Sequence, residues 1–408
     1  MRAWYRANIG GLPGTFWYLW AGFLTNKVGG FGVIFLSLYL VQNRGLDTTG
    51  AGLVVGLYGA GGCAGVLAGG VLADRWGRRR TLLASHAATT LLLLGLAVAP
   101  WIPAIAVLTA LVGAAQSMVG PPLVAAIVDI VPEAHRTKAF NLEFWAFNLG
   151  TAIAAPLAGL LAETGFTPLF LVEAGATLAT FVMLAARVPE TLPVRDTPQA
   201  GQRGGSLRTT LTDRPYLVFV GLTLVLAVLT LQTSTILPLA MAEDHLRPSV
   251  YGSLMGFTGI LIVCGQLFVP RLIGGRLKAR VLAAANGLIA AGMAVVAVAD
   301  VVPVYLVAAV IWTAGQMLAA PPNAATIAEL SPVELRGRYQ AVFYLCFPIA
   351  AFIAPALGGA SLQRLGGWHW VICGVLGALA AVGHLLTGPY RERRAAVLRE
   401  AAREPVRA

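Results

Sequence analysis

Three ionisable side chains lie inside long apolar runs, and they are the residues best placed to do chemistry: Lys27 beside Asn26, Glu143 and Glu173. A charge near the middle of a bilayer costs roughly 2.5 to 3.5 kcal/mol on insertion scales, so each needs a partner or a use. A carboxylate in a low-dielectric cavity holds a proton more readily than one in water, and it can load and release that proton as the cavity changes the side it faces. Glu143 and Glu173 are therefore the proton-coupling candidates, with Lys27 as the buried partner of one of them. Asn26, Gln116, Asn148, Gln232, Gln316, Asn323 and Tyr344 supply neutral hydrogen-bonding groups within the same runs. They are candidates to line a cavity, and hydrogen bonding between helices is the alternative use for them.

Other chemistries lack their residues. The three lysines, at 27, 138 and 278, stand outside any phosphate-binding loop, and the chain has no G-x-S-x-G elbow and no H-E-x-x-H. Its four cysteines fall in separate apolar runs, and its five histidines are scattered. Gly59-x-Gly61-x-x-Ala64 has the outline of a dinucleotide fingerprint, but no strand precedes it and no acid follows at the right distance. No catalytic residue, metal ligand or cofactor is expected, and the chain is not expected to be an enzyme.

The positioning elements follow from composition. The chain has 408 residues, of which 57% are hydrophobic and only 12% charged, and a mean hydropathy of +0.76. That is too little polar surface for a water-soluble domain of this size, and enough apolar length for about twelve spans of roughly twenty residues. The apolar runs fall near 15–41, 50–73, 80–100, 103–128, 138–162 and 168–187, then 215–241, 249–270, 280–299, 303–329, 338–360 and 367–388. A net charge of +11 raises the question of a nucleic-acid partner, but the basic residues do not cluster on one face. With both termini cytoplasmic, only Arg44, Arg247 and Arg364 fall in outer loops and Lys27 in a span, as the positive-inside rule requires. The basic segment from Arg391 onward is expected to lie on anionic lipid.

An offset of 200 aligns the two halves. It pairs Gly52 with Gly252, Gly56 with Gly256, Pro103 with Pro303, Gln116 with Gln316, Pro121 and Pro122 with Pro321 and Pro322, and Asp129 with Glu329. Six spans per repeat is an even number, so the repeats are parallel. The expected organisation is a six-helix bundle over 1–187, a cytoplasmic linker over 188–214, a second six-helix bundle over 215–390 and a basic tail over 391–408. The fold class is an all-α membrane protein of twelve transmembrane helices.

Between the second and third spans the sequence reads Gly70-Val-Leu72-Ala-Asp74-Arg75-Trp-Gly77-Arg78-Arg79-Arg80. This resembles the signature loop of the major facilitator superfamily, G-x-L-a-D-r-x-G-r-r. The resemblance implies a gate latch in which Asp74 and Arg78 link to an acid at the end of the fourth span, where Asp129 stands; Gly70, Arg75 and Gly77 complete the motif. In the second half, Gly274 replaces the motif acid, so Glu329 is expected to pair with Lys278 or Arg276 instead. Asn148-Leu-Gly150 ahead of Ala155-Pro156-Leu-Ala-Gly159, and Ala354-Pro355-Ala-Leu-Gly358-Gly359, look like degenerate forms of the superfamily's antiporter motif. Ala155 departs from the motif glycine, and the arginine usual in the fourth span of drug/proton antiporters is missing from Thr109–Gly120.

The resemblance implies a secondary transporter most similar to the multidrug efflux branch, moving an amphipathic small molecule outward against inward proton flow by alternating access. It would be a monomer in the plasma membrane with a small-molecule substrate, protons and lipid as its partners and no nucleic acid. Export or uniport of a defined metabolite such as a sugar, an amino acid or a natural product is the alternative, as is a non-transporting membrane sensor.

Overall fold

The computed structural model describes residues 10–192, 207–266, 268–332 and 335–401. Residues 193–206 of the linker and 402–408 of the tail lie outside it. Among the described residues 11 helices are long and apolar enough to cross a membrane, and none of these residues is in a strand. The twelfth crossing is the first in the chain, and it is broken.

In chain order the helices are α1 (Gly14–Val28), α2 (Gly32–Leu38), α3 (Thr48–Arg75), α4 (Arg78–Val98), α5 (Ile102–Ser117), α6 (Gly120–Ile130), α7 (Glu133–Thr164), α8 (Thr167–Arg187) and α9 (Leu207–Thr212). They continue as α10 (Arg214–Thr235), α11 (Leu237–Glu243), α12 (Pro248–Gly265), α13 (Val269–Ile273), α14 (Lys278–Val296), α15 (Val302–Leu330), α16 (Arg336–Tyr344), α17 (Cys346–Leu365) and α18 (Trp368–Ala401). A single π-helical turn, Tyr39–Asn43, extends α2.

The breaks have local causes. Gly29 and Gly30 interrupt the first crossing, where two residues of high backbone entropy weaken the helix and the Phe31 amide turns back to the Gly29 carbonyl. Pro238, which has no amide hydrogen, resets the seventh crossing between α10 and α11. The paired prolines behave differently in the two repeats. Pro121 and Pro122 begin the new helix α6 after Gly120, whereas Pro321 and Pro322 sit inside the continuous α15, where Ala320 takes the glycine's place.

The chain forms two compact units. Unit 1 holds the described residues of Met1–Val194 together with Ser234–Val263 and Ala351–Ala360; unit 2 holds those of Arg195–Thr233, Cys264–Ala350 and Ser361–Ala408. Within unit 1, α3 packs on α5, α4 on α8, and α1 on α7 and α8; within unit 2, α14 packs on α15 and α18.

Unit 1 captures pieces of the second repeat because glycines let backbones touch. A Cβ on Gly52 of α3 would meet the Pro355 carbonyl of α17, and a Cβ on Gly252 of α12 would meet the Ala155 carbonyl of α7. Gly359 faces the Thr48 carbonyl as Gly159 faces the Pro248 carbonyl. Each contact is its counterpart displaced by 200 residues, so the sequence repeat is also a repeat of packing. These contacts lie at the end of α3 remote from the Asp74 loop.

Two expectations about the ends of the chain are corrected. The last crossing does not stop near 388 but continues to Ala401, so Arg391 is buried and Arg394 pairs with Asp213; these two face protein rather than lipid. Trp370, near the start of α18, is buried, whereas Trp101 and Trp368 are exposed.

Candidate functional site

The loop between α3 and α4 is assembled by helix geometry. Asp74 and Arg78 are four residues apart across the turn that joins α3 to α4, and Gly77 takes φ 115°, a left-handed region that disfavours any side chain. Arg78 Nη1 donates to Asp74 Oδ1 at 3.2 Å and to the Ala73 carbonyl at 2.5 Å, while its Nε donates to Asp129 Oδ2 at 3.2 Å. The guanidinium is largely buried between a nearly buried Asp129 and an exposed Asp74. Its planar fork serves both acids, which the point charge of a lysine would not do. Among the described residues, Arg75 and Gly70 make no polar contact with this cluster; a Cβ on Gly70 would meet nothing within 4 Å.

One member of the cluster was missed in the sequence. Glu190, just beyond α8, accepts hydrogen bonds at Oε1 from the Arg78 and Arg79 amides, at 2.8 and 3.3 Å, and from the Thr191 and Leu192 amides. It caps the start of α4. Partial burial pushes the Glu190 carboxyl up, but the four amides outweigh it and leave the group below its ordinary range. The available signal was an acid immediately after the sixth apolar run, in Val188-Pro189-Glu190. In the second repeat, Lys278 Nζ donates to Glu329 Oε1 at 2.5 Å, as the missing motif acid implied.

The three intramembrane charges lie on α1, α7 and α8. Asn26 and Lys27 sit just before the break in the first crossing, and Asn26 Nδ2 donates to Thr177 Oγ1 of α8 at 3.2 Å. Lys27 has no direct ion pair among the described residues. Its Nζ lies over the rings of Phe23 and Phe147, 5.4 and 5.1 Å from their centroids, with Glu173 and Glu143 acting on it from farther away. The expected close pair is therefore replaced by an aromatic seat flanked by two acids. Glu143 is half-buried on α7, about ten residues or 15 Å into a helix that starts earlier than the apolar run suggested.

Glu173 is 4% exposed and fully bonded. Its Oε2 accepts from the Gly32 amide at 2.6 Å, where α2 begins with no side-chain cap of its own, and its Oε1 accepts from Gln116 Nε2 at 2.8 Å. Gln116 Oε1 in turn accepts from the Tyr58 hydroxyl at 2.8 Å. Of the cavity candidates, Asn26 and Gln116 thus join a polar layer in unit 1, while Asn148 turns its amide back to the Phe144 carbonyl of its own helix.

Gln232, Gln316, Asn323 and Tyr344 belong to unit 2. Gln232 and Asn323 are buried, Gln316 is half-buried, and Tyr344 is exposed against the edge of Phe343. Unit 2 also holds a cluster with no sequence signature: Asp213 accepts from Arg394 at 3.1 Å and from the Tyr339 hydroxyl at 2.9 Å, and the Tyr216 hydroxyl donates to the Tyr339 carbonyl. Its members are far apart in the chain.

The family model of the Major Facilitator Superfamily matches residues 18–326 and 233–408. The chain belongs to the Major Facilitator Superfamily. Within that family it is 29% identical over 334 residues to the uncharacterised MFS-type transporter YttB of Bacillus subtilis (strain 168), covering 81% of this chain and 83% of that one. It is 24% identical over 383 residues to a Na(+), Li(+), K(+)/H(+) antiporter of Planococcus maritimus, covering 86% and 90%. Among solved structures, a POT family transporter in complex with 5-aminolevulinic acid superimposes with a TM-score of 0.80 at 14% identity, covering 94% of this chain and 99% of that one. That likeness is one of fold. The chain is a multi-pass membrane transporter.

Proposed function

We propose that this transporter expels amphipathic small molecules in exchange for protons by alternating access, from the plasma membrane, as a monomer with both termini cytoplasmic. The observation that carries the reading is that Lys27, Glu143 and Glu173 all lie on membrane-spanning helices of one bundle: one cation and two carboxylates leave room for one further positive charge, which a proton fills. Glu143 and Glu173 carry the proton, Lys27 tunes them, and the bundles over 1–187 and 215–390 exchange access around a central cavity. Asp74, Arg78 and Asp129, with Gly70, Arg75 and Gly77, latch the cytoplasmic gate.

The test is accumulation of an amphipathic dye in inverted vesicles with and without an imposed proton gradient, for wild type, Glu143→Gln and Glu173→Gln. Gradient-driven accumulation that falls in both variants is expected; unchanged flux in both removes the coupling assignment. A second reading, exchange of an alkali cation for protons, is favoured by the same surplus of acid and by the antiporter relative. Dye-independent sodium flux down an opposing proton gradient would select it.

A further inference from the structure

The bonded chain Gly32–Glu173–Gln116–Tyr58 joins four crossings of unit 1, and two arrangements of its donors and acceptors keep all three links bonded. In the present one both Glu173 oxygens face donors, the Gly32 amide at 2.6 Å and Gln116 Nε2 at 2.8 Å, so the carboxylate is the acceptor throughout. That fixes the Gln116 amide with its oxygen toward Tyr58, which must donate.

We propose that Gln116 is a reversible amide relay that reports the protonation of Glu173 to Tyr58 on α3. The proposal rests on the proton-coupled reading above. A proton arriving from water is disfavoured on Oε2, because protonation there would weaken the bond from the Gly32 amide, which is fixed in the backbone; it binds Oε1 and forms an O–H bond there. The acid then confronts the Gln116 NH2 group, donor against donor. A half-turn of that amide removes the clash: Gln116 Oε1 accepts from the acid, and its Nε2 donates to the Tyr58 oxygen. The Tyr58 hydrogen leaves Gln116 and turns toward Thr109 across a small cavity whose remaining walls are mainly apolar, among them Leu36, Leu93, Leu96 and Phe170. Thr109 Oγ1 is buried there, with no hydrogen-bond partner among the described residues. The Gly32 contact is unchanged, and the two contacts of Gln116 survive with their sense reversed.

The charged and titratable groups around this chain are Lys27 from α1, which acts on Glu173; Glu143 from α7, which acts on Lys27; Tyr58 itself from α3; and His86 from α4, bonded to the Leu82 carbonyl and also within the influence of Lys27. Once Glu173 is neutral, Lys27 is left to Glu143. The readout reaches α3, the helix that ends in the Asp74 loop and carries Gly52 at its other end.

The test is infrared difference spectroscopy of the full chain in lipid, with carbonyl-labelled glutamine, between neutral and acidic pH. In wild type a protonated-carboxyl band should arise together with a shift of one glutamine carbonyl. Glu173→Gln, isosteric and fixed as the donor toward Gln116, should abolish both; Gln116→Leu should keep the carboxyl band and lose the glutamine shift. Tyr58→Phe removes the donor to Gln116 and should move the neutral-pH glutamine band while leaving the carboxyl band. A wild-type carboxyl band without the glutamine shift, a glutamine shift that survives Glu173→Gln, or no Glu173-dependent carboxyl band overturns the relay. Gradient-independent flux with the paired bands present removes the coupled-transport reading and not the relay; gradient-driven flux without the pair does the reverse.

Discussion

Replacing Gly52 with alanine forces a methyl group onto the Pro355 carbonyl, with the Gly359 Cα at 3.2 Å behind it. Neither is the tip of a flexible side chain, so α3 and α17 must separate. Overpacking of this kind costs about 1 to 3 kcal/mol, and a bias of that size on a two-state equilibrium changes the ratio of states roughly 5- to 150-fold. Gly252→Ala meets the Ala155 carbonyl in the equivalent way and is expected to act similarly. Spin labels at the exposed positions Leu53 and Leu357, both in unit 1, give the assay, in a background whose four free cysteines are replaced. The short distance should dominate in the parent protein and give way to a longer one in Gly52→Ala and in Gly252→Ala. Gly221→Ala, whose added methyl meets nothing within 4 Å, is the control and should leave the distribution unchanged. If Gly52→Ala behaved like Gly221→Ala, the claim that bare backbone contact holds α3 against α17 would be refuted.

Further outcomes follow from the charged clusters. Asp129→Asn removes the acid facing Arg78 Nε and should loosen the loop, read as faster labelling of a cysteine placed at Trp76; Lys278→Met breaks a half-exposed pair and should change thermal stability by about 0 to 1 kcal/mol. Arg394→Ala leaves the Asp213 carboxylate without its cation, held by the Tyr339 hydroxyl and the Tyr216 amide alone, and should cost about 2 to 4 kcal/mol, whereas Arg393→Ala, on an exposed position, should be silent. Glu190 is held below its ordinary range, so the stability it contributes is complete above the unfolded carboxylate value and is lost as pH falls through its folded value. Glu190→Gln should therefore lower the midpoint of thermal unfolding slightly at neutral pH, by an amount near the low end of capping effects because the group is exposed, and make no difference in strong acid.

The sequence pattern revealed more of the fold than of the site. Apolar run length located the crossings, and the offset of 200 anticipated the paired contacts of Gly52 and Gly252, because a parallel repeat must reuse its packing. What periodicity could not show was where a crossing breaks, since Gly29-Gly30 reads like any other small pair in a glycine-rich chain until the Phe31 amide is seen turning back. Asp74 and Arg78 were legible because their spacing is local. Glu190 was not, because the partners that tie it to α4 are amides more than a hundred residues earlier, and an amide leaves no mark in sequence. Lys27 shows the same limit: sequence identified a buried cation and supplied acids, but not that two aromatic rings would seat it. Asp213 and Arg394 lie at opposite ends of the second half and meet only in three dimensions.

Exchange itself can be observed without an imposed gradient. Purified protein in sealed liposomes containing a pH indicator is given an amphipathic substrate on one side only, and the internal pH is followed. The account predicts a substrate-driven proton movement opposite to the substrate, present in wild type and lost in Glu143→Gln; substrate entry with no accompanying change in internal pH would contradict it.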